Sequence, residues 1–371
     1  MKVGYDEQVF LAQTRGGISR YIVELVKAFE ASPDLGVVPV TGWSRTPNAH
    51  ADEAGLSRRL AAVDRYVSSP NLAQGAYFIS NSRRRRAARR ADVLHHTYTH
   101  PRFLSRSFKG LRVCTVYDMI PELYPDTFSG RNPHLAKKHY VAESDIVICI
   151  SESTRRDLVQ VYGDPGVPMP ITYLGVGEGF APGLPALAGL PERFLLFVGR
   201  RDGYKDFAVL AEAFASLPDD GTVLVVVGGG AFSEDETRRL QALNIADRVL
   251  RLDATDAQLP RIYASALAFV FPSRHEGFGL PTLEAMASGT AVVLARSSSH
   301  PEVGGDVARY FPPRDVEALG NVLAELLGDS GLRRDLGRRG VERASEFTWE
   351  ATARATAAAY QASSAPAFAG R

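Results

Sequence analysis

The stretch RHEGFGLPTLEAMASG, residues 274–289, decides the fold of this sequence, because strand-like runs flank it on both sides. LAFVFPS (267–273) is a short apolar run typical of a buried strand, and TAVVLA (290–295) predicts the next strand. Between them, Pro281 favours the first turn of a helix, and Gly289 stands where a helix-ending glycine is expected. The stretch therefore predicts one strand–loop–helix–strand unit of a parallel sheet.

The same alternation of apolar runs and helix-like segments continues through most of the chain, which indicates an α/β protein. The first series of predicted strands comprises KVGYD (2–6), VVPVTGW (37–43), DVLHHTY (92–98), RVCTVYD (112–118), DIVICIS (145–151) and ITYLGVG (171–177). A second series starts with FLLFVGR (194–200), TVLVVVG (222–228) and RVLRLD (248–253) and continues into the opening stretch. Helices are predicted over 17–30, 133–143 and 152–162.

The length of 371 residues suits two domains. The segment 175–192 is rich in Gly and Pro and has little periodicity, which is typical of a linker. We therefore expect an N-terminal domain over 1–177 and a C-terminal domain over 178–348, with a helix in 349–371 that crosses back to the first domain. Because ligands bind outside the carboxyl ends of parallel strands, the two domains are expected to share a site in a cleft.

Composition narrows the class of protein. A hydrophobic content of 45% and a charged content of 23% are ordinary for a globular protein, and a net charge of +1 gives no global sign of nucleic-acid binding. No apolar run approaches the roughly 20 residues of a membrane span, and the first residues show no signal peptide. Cys114 and Cys149 lie in strand-like runs and are expected to be buried and reduced. A cytoplasmic protein is expected.

The opening stretch also holds two carboxylates, Glu276 and Glu284, beside glycines and a helix start. A helix N-terminus with a glycine-rich approach binds phosphate through free N–H groups and the helix dipole, whereas carboxylates accept hydrogen bonds from hydroxyl groups. A nucleotide sugar has a central diphosphate with hydroxyl-bearing rings on both sides, so it satisfies all of these features. The alternative is that Glu284 is a solvated helix residue and that the glycines form only a tight turn.

Two further clusters favour a phosphate-bearing ligand. Arg200 ends a predicted strand, Lys205 follows five residues later, and both are cations suited to diphosphate oxygens unless they are merely solvated surface residues. Gly16 and Gly17 precede a predicted helix and can bring backbone N–H groups to a phosphate, although a Gly-Gly pair is weak evidence. The glycine run 228–230 lacks the spacing of a dinucleotide-binding fingerprint, and a permissive turn is the favoured interpretation.

Taken together, these motifs resemble the retaining glycosyltransferases of family 4, which have the GT-B fold of two Rossmann-like domains facing across a cleft. FVGRRDGYKD (197–206) is similar to that family's strand-end Arg and helix-start Lys. FPSRHEGFGLPTLEAMASGTAVVLA (271–295) is similar to its E-x7-E segment, the most specific motif of the sequence. GGISRYIVEL (16–25) resembles the glycine loop with the first helix, and ISESTRRDL (150–158) resembles a later helix of the first domain.

The resemblance implies a role for each matched position. Arg200, Lys205 and Glu276 would form the catalytic set, in which the two cations hold the diphosphate and Glu276 bonds hydroxyls of the transferred sugar. The remaining implied donor-binding residues are Gly16, Gly17, Gly277, Phe278, Gly279, Leu280 and Glu284, the last on the ribose hydroxyls. The implied donor is GDP-mannose or a UDP-hexose, and neither a cofactor nor a metal is expected.

The sequence departs from the family pattern after the strand CTVYD (114–118). The family often has His-Asp there, and this chain has Tyr117 before Asp118. Together with His96, these residues are expected to lie on the acceptor side. His96 and His100 suggest metal ligands by type, but no carboxylate or Cys partner stands at a recognisable spacing, so acceptor lining or a structural role is favoured.

SRRRRAARR (82–90) places six arginines between Arg83 and Arg90. A solvated helix face explains such a run, and the functional alternative is a patch for anionic lipid headgroups at the inner face of a membrane. Nucleic acid is not favoured, since no aromatic residues interleave with the arginines.

The sequence therefore predicts a metal-independent glycosyltransferase that moves a hexose to a hydroxyl of a glycan or lipid-linked acceptor in cell-surface polysaccharide assembly. Glu276 and Glu284 would bind opposite ends of the donor, whereas the carboxylates of a retaining glycosidase stand about 5 Å apart. Two alternatives remain open: a nucleotide-sugar 2-epimerase of the same fold and a non-catalytic sugar-nucleotide-binding protein.

Overall fold

The computed structural model of the protein describes residues 1–58, 70–104, 108–127, 136–201 and 203–363. Its backbone divides into two compact units. Unit 1 comprises Met1–Pro121, Gly130–Gly175 and Thr348–Arg371, and unit 2 comprises Glu122–Ser129 and Val176–Phe347. Apart from the short segment Glu122–Ser129, the chain thus leaves unit 1 after Gly175 and returns to it at Thr348.

Each unit is built on one parallel sheet. The strands of unit 1 are β1 Lys2–Tyr5, β2 Val38–Thr41, β3 Val93–His96, β4 Leu111–Val116 and β5 Ile146–Cys149. Those of unit 2 are β6 Phe194–Val198, β7 Val223–Val227, β8 Val249–Leu252, β9 Ala268–Phe271, β10 Ala291–Ala295 and β11 Arg309–Phe311. All strand pairs are parallel.

Helices connect these strands. The helices up to residue 162 are α1 Gln8–Ala12, α2 Gly17–Ala31, α3 Ala49–Glu53, α4 Pro70–Ser80, α5 Ser82–Ala88, α6 Ile120–Leu123, α7 Lys137–Glu143 and α8 Glu152–Tyr162. The following helices are α9 Phe207–Ala215, α10 Glu234–Ala242, α11 Leu259–Ser265, α12 Leu280–Ala287, α13 His300–Gly304, α14 Val316–Gly328, α15 Ser330–Ala344 and α16 Trp349–Ser363. Of the helix predicted over 133–143, residues 133–135 lie outside the described residues.

The strand orders place a crevice in each sheet. Unit 2 has the order β11-β10-β9-β6-β7-β8, which is the dinucleotide-binding order 3-2-1-4-5-6 written in reverse. Unit 1 has the order β2-β1-β3-β4-β5, which matches the other common doubly wound order 2-1-3-4-5. Such sheets bind ligands where the strand order reverses, which is between β6 and β9 in unit 2 and between β1 and β3 in unit 1.

The cores follow from the strand sequences. In β6, Phe194 to Phe197 are fully buried, as expected for a parallel strand covered on both faces by helices. The prediction that Cys114 and Cys149 are buried and free is confirmed. Gly289 ends α12 with φ of +73°, so the predicted helix-ending glycine is also confirmed.

One strand prediction was wrong, and one strand was not predicted. The segment 171–177 forms only an isolated bridge between Ile171 and Cys149. Pro168 and Pro170 accept hydrogen bonds from β5 through their carbonyls, but they have no N–H to donate, so a regular ladder does not form. Conversely, β11 was not predicted, because its three residues are too few to show a period.

Candidate active site

The predicted donor residues other than Gly16 and Gly17 gather at the strand-order reversal of unit 2. Arg200 and Lys205 lie in the loop after β6, and Glu276 lies in the loop after the neighbouring strand β9. The carboxyl ends of two adjacent parallel strands meet at one edge of the sheet, so Lys205 and Glu276, which are 71 residues apart in sequence, become neighbours at this position. The location is where a doubly wound sheet accommodates a ligand.

Lys205 and Glu276 are in direct contact. Lys205 Nζ donates to Glu276 Oε1 at 2.6 Å, and the two side chains are only 13% and 11% exposed. The ammonium group also lies 4.8 Å from the centre of the Phe271 ring and 5.3 Å from that of Tyr204, both within range of a cation–π attraction. The cation is therefore held at a fixed place beside the carboxylate.

Arg274 joins the same two loops, and its role was not predicted. Its backbone N–H donates to Tyr204 O at 2.8 Å, and its guanidinium forms an ion pair with Asp206 at 2.8 Å. Asp206 precedes α9 in a left-handed conformation with φ of +47°. Burial raises the pKa of Asp206, and the opposing attraction of Arg274 and Arg314 favours its charged form. The arginine therefore fixes the spacing of the loops that carry Lys205 and Glu276.

Two serines hold the glycine-bearing loop 276–279. Ser298 Oγ accepts a hydrogen bond from the Glu276 N–H at 2.9 Å, and Ser298 itself has φ of +45°. Ser299 Oγ lies 3.0 Å from Glu276 O and 2.8 Å from Phe278 O and donates its proton to these carbonyls. The loop is thus fixed from one side before the chain enters α12. Neither serine was predicted, since both stand more than 20 residues away in sequence.

The loop ends at the N-terminus of α12. Gly279 is the N-cap with φ of +105°, a backbone conformation that L side chains rarely adopt. Leu280 is the first helical residue, and the N–H groups of the first turn have no acceptor within the helix. Pro281 occupies the next position, where its lack of an N–H costs nothing. This helix start can therefore receive an anion.

Glu284 lies in the second turn of α12 and is buried, with 4% exposure. Tyr263 on α11 donates its hydroxyl proton to Glu284 Oε2 at 3.2 Å. The expectation of a solvated helix residue does not describe this side chain. Its carboxylate is oriented by a neighbouring hydroxyl, which is suited to accepting further hydroxyl hydrogen bonds.

The two consecutive arginines after β6 differ in environment. Arg200 is exposed, whereas Arg201 is buried and forms an ion pair with Glu236 at 2.7 Å. Arg201 also donates to the carbonyls of Gly228 at 2.7 Å and Ala231 at 2.9 Å. The glycines 228–230 all have positive φ, so the interpretation of a permissive turn is confirmed. Arg201 therefore stabilises that turn, and of the two arginines Arg200 is the exposed one.

Unit 1 presents the two predicted glycines at the start of α2. Gly16 is the N-cap with an extended backbone, and a Cβ there would lie 2.5 Å from Gln13 Oε1, so a side chain at position 16 would require the end of the flexible Gln13 side chain to move. A Cβ at Gly17 would meet nothing within 4 Å. The fold of unit 1 therefore does not require glycine at position 17.

The predicted acceptor residues divide between two small pockets of unit 1. His96 lines one of them and is buried, and its Nδ1 lies 2.7 Å from Asp6 Oδ2. Burial alone would raise the pKa of Asp6, but hydrogen bonds from His96, Thr97 and Gln8 hold it below its ordinary value. These bonds occupy the strand-order reversal between β1 and β3, so His96 has a structural partner there.

Tyr117 and Asp118 line the other pocket, together with an unpredicted lysine. Tyr117 donates its hydroxyl proton to Thr97 O at 3.2 Å, and Lys137 Nζ donates to Asp118 O at 2.6 Å. Lys137 is only 5% exposed. The pocket is lined by Ile18, Tyr98, Thr99, Thr115, Tyr117, Asp118 and Lys137. Polar groups at the carboxyl ends of β3 and β4 therefore line the same pocket as Ile18, the residue that follows Gly17.

Comparison with known protein families identifies the chain. Residues 15–177 match the model described as Glycosyltransferase Family 4, and residues 187–343 match the model described as Glycosyl transferases group 1. Together these two matches span most of the chain. The chain belongs to glycosyltransferase family 4. It is a glycosyltransferase, and the comparisons do not support the alternatives of an epimerase or a non-catalytic binding protein.

The curated relatives of this family 4 glycosyltransferase include sugar-transferring enzymes of polysaccharide assembly. O-antigen chain mannosyltransferase B from Escherichia coli is 27% identical over 372 residues, which cover 93% of this chain and 96% of that protein. Serotype-specific mannosyltransferase WbdA from Escherichia coli is 28% identical over 261 residues, and the match spans 65% of this chain and 32% of the length of that protein.

Solved structures show the fold of the glycosyltransferase. The crystal structure of Anabaena Alr3699/HepE in complex with UDP-glucose aligns with a TM-score of 0.72 at 18% identity, covering 98% of this chain and all of that chain. Sucrose-phosphate synthase from Thermosynechococcus elongatus aligns with a TM-score of 0.70 at 24% identity, covering 98% and 95%. The prediction of a GT-B fold is confirmed. Across the described residues, no helix has the length and apolar run that a bilayer crossing needs.

Proposed function

We propose that this enzyme transfers a mannosyl residue from GDP-mannose to a hydroxyl of a glycan or lipid-linked acceptor, with retention of anomeric configuration, in the assembly of a cell-surface polysaccharide. The observation that carries the proposal is the contact between Lys205 and Glu276 beside the N-terminus of α12. It places a cation, a carboxylate and a helix start at one sheet edge. The near full-length similarity to a named mannosyltransferase supports mannose over another hexose.

The donor would be bound along the strand-order reversal of unit 2. In this proposal Arg200 and Lys205 hold the diphosphate, and the amides from Gly277 to Leu280 meet the phosphate and the sugar. Glu276 accepts hydrogen bonds from the sugar hydroxyls, and Glu284 accepts those of the ribose. The burial of Glu284 and its orientation by Tyr263 support a specific ligand over a role as a solvated surface residue.

The chemical step requires charge stabilisation on the leaving group. The acceptor oxygen attacks C1 of the donor sugar on the face that the phosphate leaves, so a new C1–O bond forms as the C1–O bond to the diphosphate breaks. The acceptor proton passes to a phosphate oxygen. Lys205 and Arg200 would neutralise the charge that grows on the diphosphate, an effect typically worth about 100-fold or more in rate. Neither a metal nor a cofactor is assigned to this step.

The acceptor would be bound by unit 1. Tyr117 and Asp118 line a polar pocket there, and Gly16 and Gly17 lie at the adjacent start of α2. We assign His96 a structural role in place of acceptor binding, because it is buried against Asp6. The enzyme would work in the cytoplasm at the inner face of a membrane, where the arginines from Arg83 to Arg90 would contact anionic lipid.

The test is thermal unfolding with GDP-mannose, UDP-glucose, ADP-glucose and dTDP-glucose, followed by NMR of the product anomer. GDP-mannose is expected to raise the unfolding temperature, since a ligand at about 100 times its Kd stabilises the native state by about 2.7 kcal/mol. Lys205→Ala and Glu284→Ala should weaken this shift, and Lys138→Ala, at an exposed lysine of α7, should not. A shift with another nucleotide alone would refute the assigned donor. An inverted product would refute the mechanism.

A further inference from the structure

A short segment of the first half of the chain belongs to unit 2. Glu122–Ser129 is grouped with unit 2, whereas Met1–Pro121 and Gly130–Gly175 on either side of it belong to unit 1. The described part of the segment consists of the last residues of α6, then Tyr124, and then one helical turn, Pro125–Thr127. This part adds no strand to either sheet. What it contributes therefore depends on what it contacts in unit 2.

Local hydrogen bonds and a proline fix the backbone of this segment. Before it, Asp118 Oδ1 accepts a hydrogen bond from the Ile120 N–H at 3.0 Å, at the first residue of α6. At its end, the N–H and the hydroxyl of Thr127 both donate to Tyr124 O, at 3.1 Å and 2.7 Å. Pro125 restricts the residue before it to extended conformations. The backbone of Tyr124 is thus held from both sides in sequence.

The ring of Tyr124 packs against both loops of the candidate donor site. Its centre lies 6.1 Å from the centre of the Tyr204 ring and 5.7 Å from that of the His275 ring, distances at which aromatic rings attract each other. Tyr204 directly precedes Lys205, and His275 directly precedes Glu276. One side chain therefore contacts the residue before the cation and the residue before the carboxylate.

Two further contacts join the segment to the same loops. The guanidinium carbon of Arg274 lies 5.1 Å from the centre of the Tyr124 ring, within range of a cation–π attraction. A Cβ at Gly203 would lie 2.6 Å from Thr127 Cγ2, so the turn Pro125–Thr127 packs closely on the loop after β6. Because Arg274 already connects the two loops, the segment and this arginine hold them together.

The surroundings of Tyr124 differ from those of a core residue. The side chain is half-buried, and its ring neighbours are a phenol, an imidazole and a guanidinium. Contacts of this kind are a small part of the stability of a whole unit. By contrast, a shift of about 1 Å in a group that binds a reacting substrate can cost about 100-fold in rate. These contacts are therefore expected to matter more for the placing of Lys205 and Glu276 than for folding.

We propose that Tyr124 is a positioning residue of the donor site. Through Tyr204 and His275 it fixes the two loops, so that Lys205 and Glu276 lie where a diphosphate and the hydroxyls of a sugar can reach them. In this role Tyr124 itself contacts no substrate. The inference rests on the proposed function for the ligands of Lys205 and Glu276, whereas the contacts of Tyr124 with the loops do not depend on it.

The experiment is calorimetric titration of the full chain with GDP and with GMP, which lacks the second phosphate. Tyr124→Ala should weaken the binding of GDP by about tenfold, because the cation that holds the diphosphate is displaced, and the binding of GMP much less. Tyr124→Leu, which loses the ring but keeps an apolar side chain, should show the same difference. Tyr124→Phe keeps the ring and should bind both nucleotides as the unsubstituted protein does. A merely structural role would weaken both nucleotides alike.

The matched control is Phe78→Ala in unit 1. The Phe78 ring also has a guanidinium over it, that of Arg85 at 3.6 Å from its centre, and an edge contact with Phe103 at 5.6 Å. Its removal should leave the binding of GDP unchanged. Equal weakening of GDP and GMP by Tyr124→Ala, unchanged GDP binding in that variant, or loss of GDP binding in Tyr124→Phe would overturn the proposal.

A second measurement needs no ligand. In the Tyr124→Ala background, Lys205→Ala and Glu276→Gln should lower the free energy of unfolding almost independently of each other, because the loops no longer hold the pair together. In the Tyr124→Phe background the two substitutions should stay coupled as in the unsubstituted chain. Urea denaturation gives both results. Undiminished coupling in the Tyr124→Ala background would also refute the positioning role.

The outcomes separate this inference from the proposed function. If the unsubstituted protein binds UDP and not GDP, the proposed donor is refuted, and the comparison of UDP with UMP then decides the role of Tyr124. If GDP binds and Tyr124→Ala binds it equally well, the proposed donor stands and the positioning role is refuted.

Discussion

Lys205 and Glu276 are 71 positions apart in the chain, and their side chains meet at 2.6 Å with little exposure to solvent. In the ligand-free enzyme each group neutralises the other. If the proposed donor binds there, its diphosphate competes with Glu276 for the ammonium group, and the carboxylate can then turn to the sugar hydroxyls. The pair therefore maintains a buried carboxylate and a buried cation in the absence of ligand, which neither group would tolerate alone.

This coupling is measurable in the absence of any substrate. We expect Lys205→Ala and Glu276→Gln each to lower the free energy of unfolding, and the double variant to lose less than the sum, with an interaction of about 0.5–3 kcal/mol. Urea denaturation of the four proteins gives the value. The exposed pair Arg338 and Glu342 on α15, with side chains 61% and 66% exposed, is the control and should give about 0.5 kcal/mol or less. Equal interactions in the two cycles would contradict the burial argument.

The hydroxyl of Ser299 is expected to set the geometry of loop 276–279. Ser299→Ala leaves two loop carbonyls without this donor, so it should cost about 1 kcal/mol of stability and raise the KM for the donor. Ser297→Ala is the control, because its hydroxyl donates to Ser273 O, which lies before the loop. Steady-state kinetics with both variants test this. An unchanged KM in Ser299→Ala would show that other contacts fix the loop.

A substitution at Gly17 can distinguish the loss of space for a ligand from a loss of protein stability. A Cβ at this position meets no neighbour, and alanine favours a helix over glycine by up to about 1 kcal/mol. Gly17→Ala should therefore unfold at the same temperature as the unsubstituted enzyme or higher, yet lose transfer activity because the methyl group occupies space left for a ligand. Gly75→Ala on α4, which also has open space, should leave activity with a soluble acceptor intact. Full activity of Gly17→Ala would remove Gly17 from the site.

Glu7 should affect stability near neutral pH. Burial raises the pKa of Glu7 to about 7, against the attraction of Arg85. Between pH 4.5, the pKa of Glu7 in the unfolded chain, and about pH 7, the native state binds the Glu7 proton more tightly than the unfolded state does. The contribution of Glu7 to stability therefore falls as pH rises through that window. His95 acts in the opposite direction, since burial lowers its pKa to about 3 and stability is lost as pH falls below 6.5.

The difference between the unsubstituted enzyme and Glu7→Gln isolates the Glu7 term. Glu7→Gln should be the less pH-sensitive of the two as pH rises from about 5 to 7, and its relative stability should increase over that range. Urea denaturation at a series of pH values measures this difference. A constant difference across the range would mean that Glu7 titrates normally.

The sequence predicted those parts of the fold that depend on local patterns. Helix α12 begins within one residue of its predicted start because Pro281 and Gly289 mark its two ends. The short strand β11 was missed because three residues show no period. The segment 171–177 was wrongly predicted as a strand, because Pro170 before it accepts a hydrogen bond from β5 but has no N–H to donate. Those outcomes depend on tertiary hydrogen bonds that no local pattern encodes.

The same division applies to the site. Arg200, Lys205, Glu276 and Glu284 could be predicted as site residues because their spacing around strand ends and helix starts is visible in the sequence, and their roles stay predictions. The contacts of Arg274 with Asp206, of Ser299 with the loop and of Tyr263 with Glu284 join residues distant in sequence, and the polar types involved are common everywhere on a protein surface. Likewise, only the structure distinguishes buried Arg201 from exposed Arg200.

Helix α16 affects the order in which the two units can complete their folding during synthesis. Its Tyr360 hydroxyl lies 3.0 Å from the hydroxyl of Tyr5 on β1 and 2.6 Å from His95 Nδ1 on β3. During synthesis β1 and β3 leave the ribosome early and α16 leaves it late. Unit 1 therefore cannot form the contacts of Tyr360 until residue 360 has emerged. Residues 176–347 are complete sooner. Nascent chains of this enzyme should therefore acquire protease resistance in the second unit before the first, contrary to the usual N-terminal-first sequence.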